Sequence, residues 1–202
     1  MASPQTLSEQ DRRLVALWAA DCAERVLPLF EADAPHEDRA RDGIARVRAF
    51  GRGERDAADE IRDRFVAGRA AHSAKAPAAV AAARAAGQAS GVAHMGAHAL
   101  GAAAYAARAA ALAAADQASR TDRASRTDRA SRTDREAAQE SARRAEVRWQ
   151  LDHMTAEVRA ALARLPLLGE DSSGPLGAGL LASGMLATTI REIQAQLAAS
   201  AT

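Results

Sequence analysis

The sequence predicts an all-α fold, and three observations predict it. Of its 202 residues, 57 are alanine, the best intrinsic helix former, while the β-branched and aromatic residues that strands favour are scarce. Apolar residues recur at three- and four-residue steps through most of the chain, which is the period of a helix with one buried face. Prolines and many of the glycines fall between those stretches, where helices stop. The expected architecture is a single domain over residues 1–202, with six to seven helices packed as a bundle or as stacked hairpins through close Ala/Gly contacts.

The first helix opens at Ser8, an N-cap residue with Asp11 three positions on in the manner of a capping box. Leu14, Trp18, Cys22, Val26 and Leu29 fall on one stripe, and Asp21, Glu24 and Arg25 face away. Pro28 is expected to kink or end this helix. A second helix is expected to open within 34–38, with Pro35 in its first turn and acids at its positive end. It buries Ile44, Val47 and Phe50 and stops at Gly51 and Gly53. The third, over about 55–73, places Ala58, Ile61, Phe65, Gly68 and His72 on its buried stripe. Pro77 starts a fourth, almost pure alanine to Ala86.

The stretch 87–115 reads as a fifth helix. Its Gly87, Gly91, Gly96 and Gly101 cost up to about 1 kcal/mol each in propensity, so they point to close approach of a neighbouring helix. A sixth helix is expected over 136–164, with Val147, Leu151, Met154, Val158, Ala161 and Leu165 at near-heptad spacing and Pro166 as its stop. After a glycine-rich loop over 168–177, a last helix carries Leu186, Ile190, Ile193 and Leu197.

Residues 118–135 are three identical copies of Ala-Ser-Arg-Thr-Asp-Arg, read as an insertion. A six-residue period advances about 240° per copy on a helix, so no apolar face forms. Asp116–Arg120, Asp122–Arg126 and Asp128–Arg132 are i,i+4 pairs worth a few tenths of a kcal/mol each. The insertion is expected to be either an exposed extension of the flanking helices or a linker. It is locally basic, which opens phosphate binding, but it holds no aromatic residue on which a base would stack.

The 27 basic and 26 acidic residues leave a net charge of +1, and all but one of the basic residues are arginine, which excludes a general polyanion binder. The uncharged windows 85–107 and 172–190 have spanning length, but their alanine and glycine content reads as tight packing rather than a membrane span. Cys22 is the only cysteine and no apolar leader opens the sequence, so a cytoplasmic location is expected. His94 and His98 lie four apart with no third ligand nearby, which favours helix packing over metal binding. Pro175 and Leu176 stand where a phosphate loop needs Lys and Ser/Thr, and no Gly-x-Ser-x-Gly elbow occurs. No enzyme, cofactor or metal is therefore expected.

The run Leu7-Ser8-Glu9-Gln10-Asp11-Arg12-Arg13, leading to Trp18 through Glu31, resembles the immunity-protein-five-like family of GC-rich bacteria. The resemblance continues through 35–39, 78–84 and 94–107 and leaves out the repeat. It implies an all-α protein that neutralises a cognate toxin by stoichiometric binding, without catalysis. It brings no contact residues with it, so candidates come from the residues themselves. Trp149 and His153, four apart beside Arg148 and Asp152, lie off the heptad core and have the composition of an interface anchor or of a helix–helix contact. Glu170 and Asp171, in the glycine-rich loop, would face a basic partner. The alternative reading is a helical nucleic-acid or phosphate-binding accessory protein that uses the arginine-rich repeat.

Overall fold

The computed structural model describes residues 3–125 and 130–199. Among them the chain is all helical, without a strand. It runs α1 (Glu9–Asp33), α2 (Arg39–Gly51), α3 (Ala57–Arg69), α4 (Pro77–Gly91), α5 (His98–Ser125), α6 (Ala130–Asp152), α7 (Ala156–Leu162) and α8 (Gly184–Ala199), with short 3-10 turns at Ala70–Ser73 and Leu180–Ala182. The centre is α4 and α5. α4 packs on α1, α2, α3 and α5, and α5 packs also on α1, α6 and α8; α7 lies against α1. Every residue from Ala99 to Ala107 is buried, so this part of α5 is enclosed on all sides. Small alanine side chains let neighbours close in from every direction. The uncharged window 85–107 thus lies largely in the protein interior, and no helix among the described residues is long and apolar enough to cross a membrane.

Ser8 Oγ accepts the Asp11 N–H at 3.1 Å and opens α1. Pro28 does not end that helix, which continues to Asp33. The proline sits on the exposed side, where water can take the carbonyl that its missing N–H leaves open. α2 begins at Arg39, later than the sequence pattern predicts. Pro35 and His36 form a turn closed by Glu37 N–H donating to the Ala34 carbonyl (3.1 Å), and the Glu37 carboxylate then accepts the Arg39 N–H (3.1 Å). Bonding to the Arg39 side chain, against the opposing effect of desolvation, takes the Glu37 pKa down to about 2. Asp33, at the end of α1, accepts the N–H groups of Lys75 (2.5 Å) and Ala76 (3.2 Å) just before Pro77, so α1 holds the segment that leads into α4.

The buried face of α3 differs from its apolar period. Ala58 and His72 are exposed and Phe65 is 63 % exposed, whereas Glu60 and Ala67 are buried. An ion cluster occupies the inner face instead. Glu60 meets Arg55 at 3.0 Å and Arg46 of α2 at 3.7 Å, and turning that cluster inward turns Phe65 outward. Burial still raises the Glu60 pKa against both arginines.

The glycine stretch is also not one helix. α4 continues through Gly87 to Gly91, and α5 starts only at His98. The break is held by the N-terminal segment, whose Thr6 and Gln5 carbonyls accept the N–H groups of Gly96 and Ala97 at 3.0 Å each. Gly87 alone of the four brings backbones together: a Cβ there would stand 2.7 Å from the Gly68 Cα. Gly91, Gly96 and Gly101 instead admit the side chains of His98, Leu7 and Gln88. Gly87→Ala is therefore expected to destabilise the protein by about 1–2 kcal/mol, overpacking outweighing the helix-propensity gain of about 1 kcal/mol. Gly68→Ala, whose nearest neighbour is 3.9 Å away, is expected to stabilise it by up to about 1 kcal/mol. Urea denaturation of the two variants checks the asymmetry.

The sixth helix of the sequence pattern is two. α6 ends at Asp152, and Thr155 caps α7 by accepting the Val158 N–H at 3.3 Å. Val147, Met154, Val158, Ala161 and Leu165 are buried, so the stripe survives the break. Repeat residues 118–125 lie in α5 and 130–135 in α6; 126–129 lie outside the described residues. Asp116 pairs with Arg120 at 2.5 Å, while the other two predicted repeat pairs lie outside the described residues.

Candidate partner-binding surface

The end of α6 turns Val147 and Gln150 inward, so Trp149 reaches the edge of the bundle. Its ring and that of His153 stack with centroids 4.0 Å apart and planes at 25°. The Arg25 guanidinium, from α1, lies 4.4 Å from the Trp149 ring centroid. The same arginine bonds through Nε to the buried Glu146 (2.7 Å). Gln150 Nε2 donates to the Ala103 carbonyl at 3.0 Å and holds α6 against α5 beneath this patch. Asp21 and Glu24 of α1 line, with Arg25, Trp149 and His153, a shallow hollow of about 290 Å³. An aromatic pair, one cation and two acids therefore share one exposed surface. Sequence reasoning found Trp149 and His153 by their spacing. It missed the α1 residues as partners, although it placed all three on the outward face; only packing of the helices brings them beside α6.

Glu170 and Asp171 are elsewhere. Glu170 is exposed, and its carboxylate accepts the Leu167 N–H at 3.0 Å. Asp171 accepts from Gln5 Nε2 (2.8 Å) and from the Ser173 N–H (3.2 Å), and the Gln5 bond is the main reason its pKa is lowered. The fully buried Gln5 also donates to the Ser173 carbonyl (2.6 Å) and accepts the Leu176 N–H (2.9 Å). It clasps the loop to the N-terminus. Gly174 faces it with φ +71°, and a Cβ there would stand 2.7 Å from Gln5 Oε1. Among the described residues no hydrogen bond, ion pair or ring contact joins this loop pair to Trp149 and His153.

His98 opens α5, and its Nδ1 pairs with Gln88 Oε1 at 2.8 Å. Burial, then the neighbouring His94 and Arg64, draws its pKa down to about 4, so the ring is neutral and its Nδ1–H donates to Gln88. His94 is exposed on the turn before it. The two histidines border a cleft of about 520 Å³ between α3, α4 and α5. No group of three His, Cys, Asp or Glu that could hold a metal occurs among the described residues. Cys22 is wholly buried, and burial pushes its thiol well above the usual range, which leaves it protonated near neutrality.

Compared with known families, residues 5–157, about three quarters of the chain, match the model described as Imm-5 like putative immunity protein. That span runs from the buried Gln5 through α6 and includes Trp149 and His153; Glu170 and Asp171 lie beyond it. No curated protein and no solved structure matches the chain.

Proposed function

The chain belongs to the Imm-5 like immunity protein family, and from that premise we propose that it neutralises a cognate toxin by binding it stoichiometrically in the cytoplasm, without catalysis. The family match carries this reading. The Trp149–His153 stack supplies the contact surface. Tryptophan and arginine are the residues most often found as binding hot spots, and this patch presents both with flanking acids. Glu170 and Asp171 form a second, acidic contact for a basic part of the same toxin. Glu170 offers the exposed carboxylate, and Asp171 fixes the loop through Gln5.

Co-expression with the products of adjacent reading frames tests the proposal. The expected result is relief of growth arrest by one of them and its co-purification at a one-to-one ratio; if no frame is toxic, relieved and co-purified, the reading fails. With that toxin in hand, Trp149→Ala is expected to weaken binding by about 2 kcal/mol or more, roughly thirtyfold. Calorimetry measures the loss, and an unchanged denaturation midpoint shows that it is not a folding defect.

A further inference from the structure

Arginines in this chain usually find acids. Arg48 reaches Asp21, Arg55 reaches Glu60 and Asp63, and Arg62 reaches Asp59. Among the described residues Arg64, Arg69 and Arg84, like Arg12, Arg148, Arg159 and Arg191, have no carboxylate within ion-pairing distance, and these three all line the 520 Å³ cleft between α3, α4 and α5. No Asp or Glu lines it. Arg84 also borders the adjoining hollow with Arg108, which has no acid partner either. Three guanidiniums bordering one cleft with no carboxylate in its lining leave their donors open to an anion.

The cleft is kept open by what its floor lacks. Gly68 and Gly87 meet backbone to backbone, and Gly91 leaves only enough room for the His98 ring. At the rim stands Phe65, 63 % exposed, with the Arg64 guanidinium 4.2 Å from its ring centroid and Arg64 itself steadied by donating to the Ile61 carbonyl (2.6 Å). Across the cleft, Arg84 lies 6.0 Å from the ring centroid of Tyr105. A phenylalanine left in water beside a cluster of cations is a surface for a planar group attached to an anion.

We propose that this cleft binds a small phosphate ester, with its dianionic head among Arg64, Arg69 and Arg84 and its organic part against Phe65. The arginine fork matches phosphate oxygens two at a time, and a dianion balances three cations better than one carboxylate does. The volume lies in the range of small-molecule sites. A nucleic acid would need a run of phosphate contacts along a basic stripe, whereas these cations are confined to one cleft in a chain of net charge +1. The inference is independent of toxin binding.

Calorimetric titration of the full chain with AMP, adenosine, inorganic phosphate, citrate and an oligoglutamate peptide tests it. Saturable binding of AMP, weaker binding of phosphate and none of adenosine is the expected pattern. Arg69→Gln and Arg84→Gln should each weaken AMP by about tenfold or more without moving the denaturation midpoint, since neither side chain has an acid partner to lose. Arg84→Lys should fall between Arg84→Gln and the native chain, because it keeps the charge and loses the fork. Arg62→Gln, on the same helix as Arg69 but outside the cleft, should change nothing. The proposal is overturned if neither AMP nor phosphate binds the native chain, or if the Arg69 and Arg84 variants bind AMP as tightly as it does. It is overturned equally if citrate or oligoglutamate binds more tightly than AMP, which would make the cleft a carboxylate or acidic-segment site.

Discussion

Trp18→Ala is expected to lower the unfolding free energy by about 4 kcal/mol. The indole is 2 % exposed in the middle of α1, and its Nε1–H donates to the Gln150 carbonyl at 2.9 Å. Gln150 lies in the last turn of α6, where helix carbonyls run out of intrahelical partners, so Trp18 also closes the C-terminal end of that helix. Truncation removes the packing and strands a buried acceptor at once. Tryptophan-to-alanine changes in cores cost about 3–5 kcal/mol, and the spread depends on how far neighbours can fill the hole. The core that holds Trp18 is rich in short side chains: Ala19, Ala20 and Ala23 on α1 and Ala102 to Ala104 on α5 are all buried and cannot extend into a cavity. Trp18→Phe keeps most of the volume and loses only the hydrogen bond, so its cost should be about 1–2 kcal/mol. Denaturation followed by circular dichroism separates the two variants.

Arg143→Ala is expected to cost about 3 kcal/mol. Arg143 is almost completely buried on α6 and bridges Glu140 of its own helix (2.8 Å) and Glu192 of α8 (2.7 Å). The two carboxylates hold the guanidinium charged even more firmly than usual, and Glu140 is taken down to about 2, chiefly by its bond to Arg143. Removing one member of a buried ion cluster costs about 3–5 kcal/mol, and the lower end applies because both glutamates still reach water. Arg143→Met, which replaces the apolar stem without the charge, should recover part of the loss. Hydrogen exchange should show α8 loosening first, since this bridge is its ionic tie to α6. A pH series reads the same pair. A depressed carboxyl pKa contributes stability that is present above about 4.5 and lost as the pH falls towards 2, so Arg143→Ala should flatten that part of the acid limb.

Much of the helical layout was legible residue by residue. Ser8 and Asp11 mark the start of α1, and the stripe Trp18, Cys22 and Val26 is its buried face. Ile44, Val47 and Phe50 are buried on α2, and Leu186, Ile190, Ile193 and Leu197 on α8. The reading failed where a long-range partner overrode the local pattern. Phe65 has the right spacing for a core residue, yet Glu60 takes the inside of α3, where Arg46 and Arg55 meet it. The glycine run was expected to be one helix, but carbonyls of Gln5 and Thr6 take the N–H groups of the turn that interrupts it. The stripe of the sixth helix hid its break because Thr155 restarts the chain with the same face inward. Of the candidate site, Trp149 and His153 were readable from a four-residue spacing. The Arg25 that lies over Trp149 comes from a helix more than a hundred residues earlier.

By itself the sequence determined the helical class, the starts of α1 and α4 and the apolar faces of α1, α2 and α8, because propensity, capping and period act over a few neighbouring residues. Only the tertiary structure decided which charges go inside, where the glycine-rich stretch breaks, and that Trp149 and His153 stand apart from Glu170 and Asp171. It also decided which arginines share a cleft without an acid. Arg62 has Asp59 one turn back and pairs with it, which the local sequence already offers; Arg69 has no acid within four residues, and only the packing of α3, α4 and α5 gives it a cleft to face. Pairs such as Asp59–Arg62 and Asp116–Arg120 need only one helix, whereas partners on different helices are set by distance in space, which is fixed only once the helices are in place.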